Sequence, residues 1–213
     1  PGPPVGFVQP SGSAASHVSL SGDGLTATFN GTGAAGVKSN VAITAGASGV
    51  YYVEATRSGQ GGVGLGISGS GAEDPVISGG QLTARADTLV VDEWVTLTAN
   101  PSGTALADAA GDAATLGFVV DFRQKYPSVS IVGRAGNNPG RCPGLAADDV
   151  CVYRRVQLAQ ATGSMWIYAY GKGDGMAGTS VSINAGGNLV TKPFVYSMAG
   201  VHRALRAYRF EGH

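Results

Sequence analysis

Apolar and polar residues alternate with a period of two along most of this chain, which predicts strands rather than helices. The clearest run is GVYYVEATRSGQGGVGLGIS, residues 49–68. Its first half alternates aromatic or aliphatic residues with polar ones, and its second half alternates valine, leucine and isoleucine with glycines. We predict a hairpin over residues 50–68, with two half-buried strands joined by a glycine-rich turn.

Further runs follow at intervals of about ten residues, the spacing typical of an all-β sandwich. The Asp-Gly pair in HVSLSGDGLTATFN, residues 17–30, predicts a second hairpin. Residues 115–121 are predicted to pair with residues 128–133. The tail, residues 201–209, fits a last strand or a short helix. Other strands are expected over residues 5–8, 35–43, 76–86, 88–98, 150–158, 165–170 and 179–184.

The predicted fold class is therefore all-β, an antiparallel two-sheet sandwich of the jelly-roll type with little or no helix. A chain of 213 residues with 43% hydrophobic residues is long enough for one large β-domain. We expect residues 1–16 to form a linker or N-terminal extension and residues 17–213 to form the single domain. The 35 glycines follow no fixed period, so they mark turns rather than a collagen-like repeat.

The charge balance narrows the class of partner. Lys and Arg number 14, as do Asp and Glu, so the net charge gives no electrostatic reason to bind nucleic acid or an anionic membrane. No apolar run reaches the roughly 18–20 residues that span a bilayer, so no membrane insertion is expected. Low charge with abundant small residues favours an extracellular or virion surface.

The two cysteines, Cys142 and Cys151, lie in RCPGLAADDVC. No CxxC motif is present, and the histidines are far from this segment in sequence. We predict a disulfide that closes a local loop, which favours an oxidising compartment. Two reduced thiols in a cytoplasmic protein are the alternative.

The order of several motifs resembles the SPRY family, with a style close to bacterial and phage members. LSGDGLTATFNG, GVKSN, GVYYVEATRSG and GVGLGIS resemble the opening half of that family, and TLGFVVDF resembles a later strand. SVSIVGRAGNNPG, WIYAYGKGDGMAGTSVSINAGG and KPFVYS resemble the remainder, so that the similarity spans residues 18–197. The chain departs from the family at Asn184-Ala185-Gly186, which lacks an aromatic residue, and in the larger loop around the cysteines.

The resemblance implies a concanavalin-like bent sandwich and a non-enzymatic binding module that uses loops at one end. The ligands of such modules are mostly proteins, and related sandwiches bind glycans, so we expect a protein or glycan ligand. The alternatives are a structural domain of a virion or fibre, which forms homo-oligomers through its tails, and a glycan-cleaving enzyme.

Candidate ligand-binding residues fall into two groups and one isolated position. Arg and Asn side chains in the long loop 134–149 offer directional hydrogen bonds, and aromatic residues that alternate along 165–170 offer rings for stacking. The alternatives are a solvated loop and core packing. The candidates are Arg134, Asn137, Asn138, Arg141, Trp166, Tyr168, Tyr170 and Asp174.

No catalytic residue, metal or cofactor is predicted. Glu54 and Asp121 could serve a glycosidase only if their carboxylates lay about 5 Å or about 6.5–9.5 Å apart, and structural roles are preferred for both. Asp148, Asp149 and Asp174 could offer oxygen ligands to Ca²⁺, although polar turns explain them equally simply. The glycine spacing in GQGGVGLG precedes a strand rather than a helix, which argues against a nucleotide site.

Overall fold

The computed structural model describes residues 5–59, 61–71, 77–78, 81–82, 84–99, 105–173, 177–187 and 189–210. The strands and the helix have these bounds: β1 (Phe7–Val8), β2 (Val18–Leu20), β3 (Thr26–Phe29), β4 (Ala35–Ser39), β5 (Ile43–Thr44), β6 (Val50–Ser58), β7 (Val63–Ser68), β8 (Ile77–Ser78), β9 (Gln81–Leu82), β10 (Thr88–Asp92), β11 (Thr96–Ala99), β12 (Ala105–Leu106), β13 (Thr115–Asp121), β14 (Ser128–Arg134), β15 (Val150–Gln157), β16 (Ser164–Gly171), β17 (Thr179–Asn184) and α1 (Met198–Phe210).

Within these residues the strands form two large antiparallel sheets and the small β8–β9 pair. The eight-stranded sheet has the order β1-β4-β16-β7-β10-β11-β12, and β5 also pairs with β16. The seven-stranded sheet has the order β15-β14-β13-β6-β17-β3-β2. This arrangement confirms the all-β, antiparallel two-sheet sandwich predicted from the sequence.

The main core lies between the two sheets and follows the alternation in the sequence. In β17 every second residue, Thr179, Val181 and Ile183, is buried. Side chains from both sheets meet in one cluster of buried residues, which includes Phe29, Leu65, Ile67, Phe118, Ile131 and Ile167. Burial of these apolar side chains is the main force that holds the sheets together.

The predicted 50–68 hairpin is wrong, although both of its strands exist. β6 pairs with β13 and β17, whereas β7 pairs with β10 and β16 in the other sheet. The turn between them carries the chain from one sheet to the other. Because both strands direct their apolar sides into the same core from opposite sheets, the alternation is the same as for a hairpin.

The glycines of β7 serve close packing on the outer face of the eight-stranded sheet. A Cβ atom at Gly64 would lie 2.3 Å from ring atoms of Tyr170, and one at Gly66 would lie 1.9 Å from a methyl carbon of Leu82. Only glycine leaves space for these two side chains to lie directly on the strand.

Several other predicted elements agree with the structure. The β2–β3 hairpin and the pairing of β13 with β14 are confirmed. Trp94 is buried, but it lies in the turn before β11 rather than in the strand predicted over residues 88–98, and its indole Nε1 donates a hydrogen bond to the Ala113 carbonyl at 2.9 Å. The segment predicted as a linker, residues 1–16, includes β1, which pairs with β4. The domain boundary at residue 16 stays a prediction.

The tail forms a helix, which decides between the two predicted alternatives. α1 packs on the outer face of the seven-stranded sheet. Its buried residues Val201 and Ala204 contact a cluster that includes Val119, Val132 and Val152. The tail therefore buries its apolar face against its own chain.

A buried carboxylate fixes the segment that leads into α1. Glu54 lies in the middle of β6 and is 2% exposed. Its Oε1 accepts a hydrogen bond from the amide of Val195 at 2.7 Å, and its Oε2 accepts one from the amide of Tyr196 at 2.9 Å. The Tyr52 hydroxyl also donates to Oε2, at 2.8 Å. These hydrogen bonds hold Val195 and Tyr196 against the seven-stranded sheet just before α1 begins.

We expect Glu54→Gln to lower the free energy of unfolding by about 2–4 kcal/mol, because the amide removes one acceptor oxygen and places N–H groups against a backbone donor. Urea unfolding of the purified chain measures this loss. Glu93→Gln is the control, since Glu93 is exposed and its ion pair with Lys172 should contribute about 1 kcal/mol or less. Equal stabilities of the two variants would contradict the role given to Glu54.

Candidate binding surfaces

The long loop between β14 and β15 is held by its own backbone and by a disulfide. The Ala135 amide donates to the Asp149 carbonyl at 2.8 Å, and the Gly136 amide donates to the Ala147 carbonyl at 2.9 Å. Cys142 and Cys151 form the predicted disulfide, which links the loop to β15. The loop is therefore fixed at its base and near its middle.

Two of the predicted loop residues contact a second loop, residues 107–113. Asn138 is buried, and its Nδ2 donates to the Asp108 carbonyl at 2.6 Å. The Asn137 carbonyl accepts a hydrogen bond from the Asp112 amide at 2.8 Å. Gly111 permits this approach, since a Cβ atom there would lie 2.4 Å from the Asn137 carbonyl oxygen. The Asn138 side chain thus joins the two loops, while Asn137 stays half-buried at the surface.

The two predicted loop arginines lie at the start and near the middle of the loop between β14 and β15. Arg134 is exposed, with its guanidinium 5.7 Å from the centroid of the Tyr196 ring, a cation–π contact. Arg141 is half-buried, and its Nε donates to the Tyr153 carbonyl at 3.2 Å. Tyr153 in turn donates its hydroxyl hydrogen to the Arg134 carbonyl. The buried Tyr153 ring therefore connects the positions of both arginines.

Arg154, which is not among the site residues predicted from the sequence, adds a third positive charge beside the loop. Its Nη2 donates to the Ala107 carbonyl at 2.7 Å, and its Nε is buried without a hydrogen-bond partner among the described residues. Burial lowers the pKa of Arg154, and the nearby charge of Arg141 lowers it further. In the sequence Arg154 is one of two consecutive arginines in an alternating strand, and its position beside Arg141 follows only from the fold.

Exposed apolar side chains accompany these charges. The loop and α1 enclose a cleft of about 200 Å³ beside the disulfide, lined among others by Arg141, Pro143, Leu145, Tyr153 and Tyr208. Leu145 is 46% exposed at this cleft. We call the surface formed by Arg134, Asn137, Arg141, Pro143 and Leu145 the disulfide-loop surface.

The predicted aromatic residues lie elsewhere, on the outer face of the eight-stranded sheet. Tyr168 and Tyr170 are buried there with Leu82 and Val90, and Trp166 is half-buried beside them. The Tyr168 hydroxyl donates to the Ser70 carbonyl at 2.7 Å, and the Tyr170 hydroxyl donates to Asp92 Oδ1 at 2.6 Å. In this structure the two tyrosine rings are used for packing, so the fold does not join them to the loop candidates. Asp174 lies outside the described residues.

The two carboxylates considered for glycosidase chemistry are far apart. Glu54 lies opposite Gly117 in the β6–β13 ladder, and Asp121 lies four residues further along β13. At about 3.3 Å per residue this places them about 13 Å apart along the strand, beyond the about 6.5–9.5 Å of inverting glycosidases. Asp121 instead accepts two hydrogen bonds from the Arg123 guanidinium, at 3.0 and 2.8 Å, which lower its pKa.

Of the aspartates considered as calcium ligands, Asp148 and Asp149 lie among the described residues. Asp149 Oδ2 accepts a hydrogen bond from the Ala146 amide at 3.1 Å, as in an ordinary polar turn. Across the described ranges, no group of three or more His, Cys, Asp and Glu side chains is arranged to hold a metal ion. In the same ranges no helix is both long and apolar enough to cross a membrane.

Comparison with solved structures shows the fold that the sequence motifs predicted. The chain is similar to the PSpry domain of TRIM65, with a TM-score of 0.55 and 13% identity over 85% of this chain and 92% of that one. It is also similar to the SPRY domain of human HERC1, with a TM-score of 0.53 and 14% identity over 86% of this chain and 99% of that one. No protein-family model and no curated protein sequence matches. The chain therefore has the SPRY-type β-sandwich fold.

The burial of Tyr168 predicts a loss of stability at alkaline pH. Burial, together with the negative charge of Asp87, raises the pKa of Tyr168 to about 12, above the value of about 10 in the unfolded chain. The stabilisation is fully present below pH 10 and is lost as the pH rises through 12. We expect Tyr168→Phe to make the decline in unfolding free energy above pH 10 about 1–2 kcal/mol smaller.

Urea unfolding at several pH values from about 8 to 12 measures this decline. Tyr126→Phe is the matched control, since the Tyr126 ring is 40% exposed. If Tyr168→Phe and Tyr126→Phe showed the same pH profile as the unmodified chain, Tyr168 would not be the buried phenol described above.

Proposed function

We propose that this chain is a non-catalytic binding module that recognises its ligand through the disulfide-loop surface. The observation that carries the proposal is the exposed Leu145 at a cleft whose walls are held by the Cys142–Cys151 disulfide and by α1. A loop that is already fixed loses little conformational freedom on binding, so more of its contact energy contributes to affinity. The SPRY-type fold is compatible with this role, although the similarity concerns the fold alone.

The chemistry of the surface favours a protein ligand over a glycan. Leu145 and Pro143, which line the cleft, have apolar side chains that form no hydrogen bond with sugar hydroxyl groups. Arg141 lines the same cleft as Pro143 and Leu145, and Arg134 lies at the start of the loop. Arginine is enriched at protein interfaces because it donates several hydrogen bonds and also packs well. The matching ligand is a protein segment with an apolar side chain next to acidic groups or free backbone carbonyls.

The remaining parts of the proposal concern the localisation of the protein and its assembly into homo-oligomers. The disulfide supports an extracellular or virion-surface location, because such bonds persist in oxidising surroundings. Assembly with further copies through the tails stays a prediction. The apolar face of α1 is already used within the chain, so self-assembly would have to use other residues of the helix.

A protein array and a glycan array, both probed with the labelled 213-residue chain, test whether the disulfide-loop surface binds a protein ligand. We expect binding to one or more arrayed proteins and a loss of about tenfold or more for Leu145→Asp, since a charge would then enter the centre of the apolar contact. Arg141→Ala should weaken the same signals.

Leu189→Asp is the matched control. Leu189 lies outside the loop and is 48% exposed, nearly the same as Leu145, so the substitution changes charge and hydropathy equally. Equal signals for Leu145→Asp and Leu189→Asp on every bound protein would overturn the assignment of the surface. Binding to glycans alone, with no protein bound, would overturn the preference for a protein ligand.

A further inference from the structure

A second and larger cleft lies on the outer face of the seven-stranded sheet, on the side of α1 away from the disulfide. Its volume is about 660 Å³, within the range of small-ligand sites. Strands β6, β13, β14 and β15 form its floor, and one side of α1 forms a wall. We call it the sheet-face groove; it is lined by Val50, Val119, Asp121, Arg123, Gln124, Ser128, Ser130, Arg155, Gln157, His202, Leu205 and Tyr208.

Arg155 is held in a fixed position at the groove. Its Nε donates to Ser130 Oγ at 2.9 Å, and its guanidinium lies 4.8 Å from the centroid of the Tyr208 ring. Within the described part of the chain its terminal nitrogens make no hydrogen bond. A guanidinium held in this way can donate two parallel hydrogen bonds to a carboxylate at small entropic cost.

The charge around the groove favours an anion. The one carboxylate among the lining residues, Asp121, lies near Arg155 and reduces its field, but both of its oxygens already accept hydrogen bonds from Arg123. Asp121 and Arg123 therefore offset each other, and the groove keeps the positive charge of Arg155.

The other polar groups of the groove suit hydroxyl groups better than a peptide. Gln124, Gln157 and Ser128 line the groove, and Gln157 Nε2 already donates to Gln124 Oε1 at 3.2 Å. A ligand can therefore use Gln157 Oε1, Gln124 Nε2 and the Ser128 hydroxyl. The floor strands β6, β13 and β14 are paired on both sides within the sheet, and β15 is its edge strand, so an extended peptide could add as a further strand only beyond β15, outside the groove. Recognition must use side chains, and a ligand with many hydroxyl groups matches the donors and acceptors present.

We propose that the sheet-face groove binds an acidic saccharide, with Arg155 holding a carboxylate of the sugar and the Gln and Ser side chains contacting its hydroxyl groups. This site is separate from the disulfide-loop surface and takes a ligand of a different class. The two are tested independently, since Leu145 does not line the groove and Arg155 does not line the cleft beside the disulfide.

Isothermal titration of the 213-residue chain with a hexamer of galacturonate tests the proposal. A neutral galactose hexamer and a hexaglutamate peptide are the comparison ligands. We expect the uronate hexamer to bind, the neutral hexamer to bind about tenfold or more weakly, and affinity for the uronate to fall as salt is added. Arg155→Ala should weaken uronate binding by about 10- to 100-fold, and Arg155→Lys should restore little of it because lysine lacks the paired donors.

Arg203→Ala is the charge-matched control, because Arg203 is exposed on α1 outside the lining residues and its loss should change affinity less than about twofold. Gln157→Glu tests the groove even if the Arg155 variants fold poorly, because Gln157 is exposed. The added negative charge should weaken uronate binding while leaving the melting temperature nearly unchanged. Any of four results would overturn the proposal. The first three concern the unmodified chain: no binding of the uronate hexamer, equally tight binding of the neutral hexamer, or tighter binding of hexaglutamate than of the uronate. The fourth result is an affinity for the uronate that is unchanged in Gln157→Glu.

Discussion

The buried carboxylate of Glu54 is the contact that determines the outer surface of the seven-stranded sheet. It accepts hydrogen bonds from two consecutive backbone amides and from Tyr52, and the Tyr196 amide, which is buried, would lose its acceptor if the carboxylate were removed. Since β6 is the central strand of that sheet, this contact lays the C-terminal segment across the middle of the sheet. α1 then begins at residue 198 and covers the half of the sheet formed by β13, β14 and β15.

Both candidate surfaces follow from this placement of the helix. α1 closes one side of the cleft beside the disulfide and one wall of the sheet-face groove, and Tyr208 lines both. The two sites differ in chemistry because their other walls differ. The disulfide loop contributes apolar side chains flanked by arginines, which suits a protein ligand, whereas the strands contribute hydroxyl, amide and guanidinium groups, which suit an acidic sugar.

The alternation in the sequence predicted the strands, the two-sheet fold and most of the core, because a period of two reports which side of a strand is buried. It could not predict that β6 and β7 belong to different sheets, since the choice of partner depends on the whole fold. Likewise it placed Tyr168 and Tyr170 on one face but could not show that Leu82 covers that face. Arg155 and the helix wall of the groove could not be predicted, because residues 155 and 208 meet only through tertiary packing.

The central claim is that Glu54 holds α1 on the sheet, and hydrogen exchange tests it most directly. In the unmodified chain the amides of Val195 and Tyr196 should exchange slowly, because both are bonded to the carboxylate. Glu54→Gln should speed exchange about tenfold or more over residues 195–210, while the β13–β14 ladder keeps its protection. Unchanged exchange over residues 195–210 in Glu54→Gln would contradict the claim.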